Sequence, residues 1–321
     1  MSLKTPHYLA ITGGIGGAKL ALGLSKILTG DQLAMVVNTG DDFKHLGLHI
    51  SPDIDTLVYT LAGESNTDTG WGRRDESWQC MDALAALGGE TWFRLGDRDL
   101  AMHLERTRRL EAGESLTRVT AGLASSLGID YRILPMSDDP VRTQVLTAGE
   151  VMDFQHYFVR DRCQPVVSGF TFDGADSARI SPEIDQCLND PALAGIILCP
   201  SNPFVSIDPI LAVRGMQQRL VQCPAPVIAV SPLVGGAAIK GPTVKMMQEL
   251  SIPNTAAWVA GHYRHFLKGF VLDNKDVALR DEVEALGMKV SVTQTVMETL
   301  DDRVKLAQVC LDFIGQLGSA N

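Results

Sequence analysis

The chain has 321 residues, 45% hydrophobic and 21% charged, which is ample material for one large core in an ordinary soluble protein. Its formal net charge of −10 argues against a nucleic-acid partner, because no basic stripe is present to neutralise phosphates. The 6 cysteines form no C-x-x-C pair and the 7 histidines show no metal-ligand spacing, so reduced thiols are expected rather than a disulfide frame or a zinc site. No apolar run suggests a signal peptide or a membrane span, and the expected location is cytoplasmic.

In chain order, Tyr8 to Thr12 reads as a strand, Gly13-Gly14-Ile15-Gly16-Gly17 as a tight turn, and Ala18 to about Leu28 as a helix. Leu33 to Val37 is an apolar run typical of a buried parallel strand, completing a βαβ unit. Ser51-Pro52 opens the next helix, with serine as cap and proline at the first helical position. From about Trp71 to Gly128 the pattern turns polar and helical, over Ser77–Leu87, Leu100–Leu110 and Leu116–Leu127, with Arg106, Arg108 and Arg109 on a partly exposed helix. Tyr131 to Phe172 is strand-like and irregular. Alternation then resumes, with strands expected at Ala194–Leu198, Pro226–Val230, Phe270–Leu272 and Lys289–Val292, and a closing helix from about Asp302 to Leu317. The expected architecture is a single α/β domain over 1–321, a Rossmann-like doubly wound, mostly parallel sheet. Residues 71–172 form an inserted, mainly helical substrate region.

The most informative segment is Asn38-Thr39-Gly40-Asp41-Asp42-Phe43 with Ser51-Pro52-Asp53-Ile54-Asp55-Thr56. Four carboxylates follow a buried strand, where α/β proteins place ligands. Carboxylates so clustered repel one another, and a divalent metal carrying a phosphorylated ligand satisfies them. The glycine turn lets a phosphate approach backbone N–H groups at a helix start. It is not a dinucleotide fingerprint, since Lys19 and Asn38 stand where a third glycine and a ribose-binding acid belong. Lys19 reads either as a phosphate ligand or as an exposed helix residue, the second being favoured. Ser201-Asn202-Pro203 and Ser231 end later strands with hydroxyl and amide groups suited to a phosphate or base, and Met136-Ser137-Asp138-Asp139 offers a further acidic pair. Asp97 reads as a helix cap with Arg94 just before it. No nucleophilic serine or cysteine stands out, so metal-assisted attack is favoured over covalent catalysis.

Through these stretches, together with Gly70-Trp71-Gly72 and Leu95-Gly96-Asp97-Arg98-Asp99, the chain resembles the 2-phospho-L-lactate transferases of coenzyme F-420 biosynthesis, in family order over nearly its whole length. The resemblance implies that the ribityl hydroxyl of the deazaflavin Fo attacks a guanylylated phospho-acid, GMP leaves, and magnesium assists in a homodimer. It places Asp53 and Asp55 at the reacting hydroxyl and metal, with Asp41, Asp42 and Asp55 as the metal set. It gives Arg94 a deazaflavin contact, often lysine in the family, and places Ser137 and Asp138 among the ligand-binding residues. Gly13, Gly14, Gly16 and Gly17, with Ser201 and Asn202, hold the guanosine diphosphate part. On this reading Asp55→Asn keeps the fold and loses turnover. Two other readings stay open: a nonenzymatic nucleotide-sugar-binding regulator of the gluconeogenesis-factor type, and an NAD-dependent oxidoreductase. The phospho-acid itself, whether lactate, enolpyruvate or glycerate, is not legible.

Overall fold

The computed structural model describes residues 7–66 and 71–319. Gly70 of the Gly70-Trp71-Gly72 stretch lies outside the described residues. Strands β1 (Tyr8–Thr12) and β2 (Leu33–Val37) flank helix α1 (Gly14–Ser25). A hairpin, β3 (Phe43–His45) and β4 (Leu48–Ile50), leads into α2 (Pro52–Leu61), α3 (Gln79–Ala86), α4 (Asp97–Glu111) and α5 (Leu116–Ser126). Then come β5 (Arg132–Pro135) and an antiparallel sheet of β6 (Arg142–Thr147), β7 (Val151–Asp153) and β8 (Val167–Asp173). The last part contains β9 (Gly195–Leu198), β10 (Val227–Val230), the small hairpin β11 (Leu233–Val234) and β12 (Ala237–Ala238), β13 (Gly269–Asp273) and β14 (Lys289–Thr293). A helix over Leu300–Gly318 closes the chain.

Seven strands form one parallel sheet in the order β14-β13-β10-β9-β1-β2-β5. The connections reverse direction between β1 and β9, so the fold is the doubly wound α/β type the sequence predicts, with its ligand crevice at that switch point. Successive side chains point to opposite faces and both faces are covered, which explains why the central strands β2, β9 and β10 are apolar and buried throughout. Leu9, Ile11, Ala34 and Val36 enter the core on one face, packing toward Ile210, Leu220 and Val259. Ala10, Leu33, Met35 and Val37 enter the core on the other, with Leu20 and Leu24 of α1 and Leu306, Phe313 and Ile314 of the closing helix.

One expectation is corrected here. Residues 71–172 are not one insertion, because Arg132–Pro135 is β5, the edge strand of the main sheet beside β2. Two excursions result, a helical one before β5 and the antiparallel sheet after it. These residues read as strand-like in the sequence, and Pro135 is tolerated because an edge strand can lack an N–H. Helix α4 is partly exposed, as expected, with Arg108 at the surface, but Arg106 within it is buried at 1% accessible. It shares a face of α4 with Asp99, Met102 and His103, at helical spacing, and that face is the buried one.

Asp97 caps the helix before it rather than its own. Its carboxylate accepts from Gln79 N–H (3.1 Å) and Cys80 N–H (3.1 Å) at the start of α3, while Glu76 accepts from Arg98 and Asp99 N–H at the start of α4. Each helix start is thus satisfied by the other's flank, which fixes the intervening segment carrying Trp92, Phe93 and Arg94.

Candidate active site

The loops leaving β1, β2, β9, β10 and β14 open onto a cleft of about 790 Å3. Gly13, Gly14 and Gly16 line it. Helix α1 already begins at Gly14, in the left-handed region (φ +64°), so the stretch read as a turn is the first helical turn. A Cβ at Gly16 would meet the Pro200 carbonyl, and one at Gly17 the hydroxyls of Thr12 and Ser201. Gly17 therefore lies behind the cleft wall and serves close packing of α1 on the β9 loop. Ser201 lines the cleft and accepts from Gly13 N–H at 3.3 Å; Asn202 beside it caps the following turn by accepting from Phe204 N–H at 2.9 Å.

The acidic cluster divides into two pairs. Asp41 and Asp53 line the cleft; Asp42 and Asp55 do not. Asn38 joins the first pair, its amide donating to Asp53 Oδ2 (2.9 Å) and Asp41 Oδ1 (3.3 Å). Asn38 is fully buried, so it has no access to a ribose, which removes the dinucleotide reading. Asp53 Oδ1 also accepts from Gly14 N–H at 2.6 Å, tying the carboxylate to the glycine turn. Burial pushes the Asp53 carboxyl up to about 6, against the pull of the Asn38 and Gly14 hydrogen bonds. Burial, then the like charges of Asp53 and Asp42, hold Asp41 well above the usual carboxylate range.

Behind this pair, Asp55 is bound by both terminal nitrogens of Arg106, Nη2 to Oδ1 and Nη1 to Oδ2 at 3.1 Å. Arg106 Nη1 also lies 3.1 Å from His103 Nδ1, and Asp99 accepts from Tyr59 Oη at 2.5 Å on the far side of His103. The charge of Asp55 is thus spent inside the protein. Asp42 accepts from Ser51 Oγ at 2.8 Å, its Oδ1 is buried without a partner, and burial pushes its carboxyl up to about 7. The helix-cap serine therefore ties the two acidic motifs together instead of capping α2.

Ser137 and Asp138 are not in the cleft lining. Ser137 donates to the Arg179 carbonyl (2.6 Å), and Asp138 accepts from Thr117 N–H (2.7 Å), anchoring α5. Arg94 does line the cleft, with its guanidinium 4.4 Å from the Trp78 ring centroid. Lys19 is half-buried in the cleft wall, not exposed; it donates to the Met297 carbonyl (2.9 Å), and burial with nearby Arg303 and Lys240 lowers its pKa.

Trp71 of the Gly70-Trp71-Gly72 stretch lines the cleft, among several lining residues to which the sequence assigned no site role. Trp71, Trp92, Phe93, Phe154 and Phe158 supply an aromatic surface, Gln155 bonds Asp41 Oδ2 (3.4 Å), and Lys240 to Thr243 and Thr295 to Met297 complete the rim. The last group was findable, since it follows the final parallel strand at the ligand-bearing edge.

Among the described residues, no three His, Cys, Asp or Glu side chains are grouped to hold a metal by themselves. Magnesium does not need three: it characteristically binds one or two carboxylates together with substrate phosphates. Asp41 and Asp53, buried, adjacent and mutually repelling, fit that mode. Asp55, engaged by Arg106, does not.

The sequence model of the family described as 2-phospho-L-lactate transferase CofD matches residues 9–307. A phosphoenolpyruvate transferase from Streptomyces griseus is 38% identical over 313 residues, covering 96% of this chain and 98% of its own. A 2-phospho-L-lactate transferase from Methanosarcina mazei is 37% identical over 301 residues, covering 94% and 98% respectively. A solved UPF0052-family protein from Bacillus halodurans superimposes with a TM-score of 0.62 at 12% identity, covering 95% of this chain and 99% of that one, a likeness of fold alone. Among the described residues no helix is long and apolar enough to cross a membrane. With the ordered motifs, the doubly wound sheet and near full-length similarity in agreement, the chain belongs to the 2-phospho-L-lactate transferase CofD family.

Proposed function

We propose that the protein transfers a phospho-acid from a guanylylated diphosphate donor to the ribityl hydroxyl of the deazaflavin Fo, releasing GMP and forming the first F-420 species. The observation that carries this reading is the Asp41–Asn38–Asp53 group, set between a glycine turn and an aromatic surface in one cleft. The aromatic surface suits a planar deazaflavin. The glycine turn and the Ser201–Asn202 loop suit the diphosphate, and Lys19 and Lys240 supply positive charge on that side.

Asp53 is the proposed proton acceptor. Without a metal its pKa is raised to about 6, so it is ionised at neutral pH and free to accept a proton, and bound magnesium would hold it ionised more firmly still. The hydroxyl oxygen bonds to the phosphorus that carries the acid, the phosphorus–oxygen bond to GMP breaks, and the proton passes to Asp53. Magnesium held by Asp41 and Asp53 would offset the charge on the diphosphate and departing GMP. Asn38 and Gly14 orient the Asp53 carboxylate.

The test is turnover of Asp53→Asn with Fo, magnesium, GTP and each candidate phospho-acid with its guanylyltransferase, read by product mass. A loss of at least ~100-fold is expected, and a near-normal rate would refute the assignment. The homodimer implied by the family resemblance belongs to the same proposal and is measured by light scattering.

A further inference from the structure

Phe154, Gln155, Phe158, Val159 and Arg162 present one face of a helical segment to the cleft. The segment runs as a π-helix over His156–Arg160, a form that recurs at functional sites. It leaves through two consecutive non-glycine residues in the left-handed region, Arg162 (φ +50°) and Cys163 (φ +55°). Side chains rarely adopt this backbone, and it persists where its surroundings impose it. Here Cys163 N–H donates to the Tyr157 carbonyl (2.8 Å) and Gln164 N–H to the Asp161 carbonyl (2.9 Å), so the turn is fixed. Its effect is to direct Arg162 to the cleft.

The cations lining the cleft are not equivalent. Lys19 donates to the Met297 carbonyl and, with Lys240, belongs to the rim beside the glycine turn. Arg94 is stacked on Trp78. Arg160, two residues earlier and outside the cleft lining, is paired with Asp161 at 2.8 and 3.0 Å. Among the described residues, the Arg162 side chain makes neither an ion pair nor a hydrogen bond. A guanylylated phospho-acid carries, beyond its diphosphate, one more anion: the carboxylate of the acid. The glycine-turn lysines account for the diphosphate, which leaves that carboxylate for a cation of the segment that also holds Asp41 through Gln155.

We propose that Arg162 is a specificity-determining residue that receives the phospho-acid carboxylate in a bidentate, charge-assisted pair, an inference that rests on the transferase reading above. The planar guanidinium matches a carboxylate in geometry as well as charge. One consequence is that Arg162 selects 2-phospho-carboxylic acids against simple phosphate esters. It does not separate lactate, enolpyruvate and glycerate, because all three carry the same carboxylate.

The test compares binding of three ligands, without Fo, to the wild-type chain, Arg162→Met and Arg162→Lys. The ligands are the guanylylated phospho-acid, its analogue with an ethyl group in place of the carboxylate-bearing acid, and GDP. Arg162→Met is expected to weaken the phospho-acid donor ~10- to 100-fold, to leave GDP and the ethyl analogue within about twofold, and to be partly rescued by lysine. Equal weakening of all three ligands, or none, overturns the proposal. Far-ultraviolet circular dichroism of both variants separates misfolding from lost recognition, and the lysine variant carries the comparison if the methionine variant does not fold. Failure of the transferase reading is distinct: the wild-type chain itself would then form no deazaflavin product from Fo and the donor.

Discussion

The split within the acidic cluster makes a sharp prediction for Asp55→Asn. Asp55 is 5% exposed and Arg106 1%. Asparagine keeps one acceptor oxygen but removes the charge, leaving the buried guanidinium without its paired counter-ion and with neutral acceptors such as the His49 carbonyl at 3.4 Å and His103 Nδ1 at 3.1 Å. Breaking one side of a buried pair costs about 3–5 kcal/mol. For a chain of 321 residues, an unfolding entropy of about 2.1 cal/mol/K per residue converts this to a fall in melting temperature of about 4–7 °C. Differential scanning calorimetry of the ligand-free protein at pH 7.5 measures it. The double variant Asp55→Asn with Arg106→Met should recover most of the loss, since no charge is then buried unpaired. An Asp55→Asn protein that melts within about 1 °C of wild type but has lost turnover would refute this reasoning and return Asp55 to the metal, as the family resemblance implies.

Three other outcomes are expected. If Asp53 accepts the proton, kcat/KM falls about tenfold per pH unit below about 6 and is level above it; a profile flat to pH 5 contradicts that role. Asp53 and Asp42 titrate at about 6 and about 7 in the fold, above the ordinary unfolded value, so their contribution to stability is complete below about pH 4 and is lost as pH rises through 6 and 7. Magnesium should therefore raise the melting temperature more at pH 8 than at pH 5.5, where protons already occupy the carboxyls; an equal shift at both argues against a carboxylate-held metal. Gly16→Ala should lose about 1–3 kcal/mol in chemical denaturation, because its Cβ meets the Pro200 backbone, which cannot rotate away; wild-type stability would show that α1 and the β9 loop approach less closely.

Much of the fold was legible because it depends on local pattern. Apolar runs such as Leu33–Val37 and Ile196–Leu198 announced strands buried on both faces, and Ser51-Pro52 announced the start of α2. Arg132–Pro135 was legible as strand-like but not as part of the main sheet, because four residues ending in proline do not say which sheet they join; only pairing with β2 decides that. The reciprocal capping by Glu76 and Asp97 was likewise invisible, since a cap taken from about twenty residues away leaves no local signature.

The same division runs through the site. Sequence alone determined the inventory: a glycine-rich first turn, four clustered carboxylates after a parallel strand, and the family whose motifs keep this order. Tertiary structure decided how those groups are used. Asp53 and Asp55 are two residues apart on one helix, and nothing in their spacing says which faces ligand. The roughly 200° between such positions on a helix turns Asp53 to the glycine turn and the cleft, and Asp55 to a buried arginine 51 residues onward. Charge composition can count carboxylates; only packing assigns each of them its counter-charge.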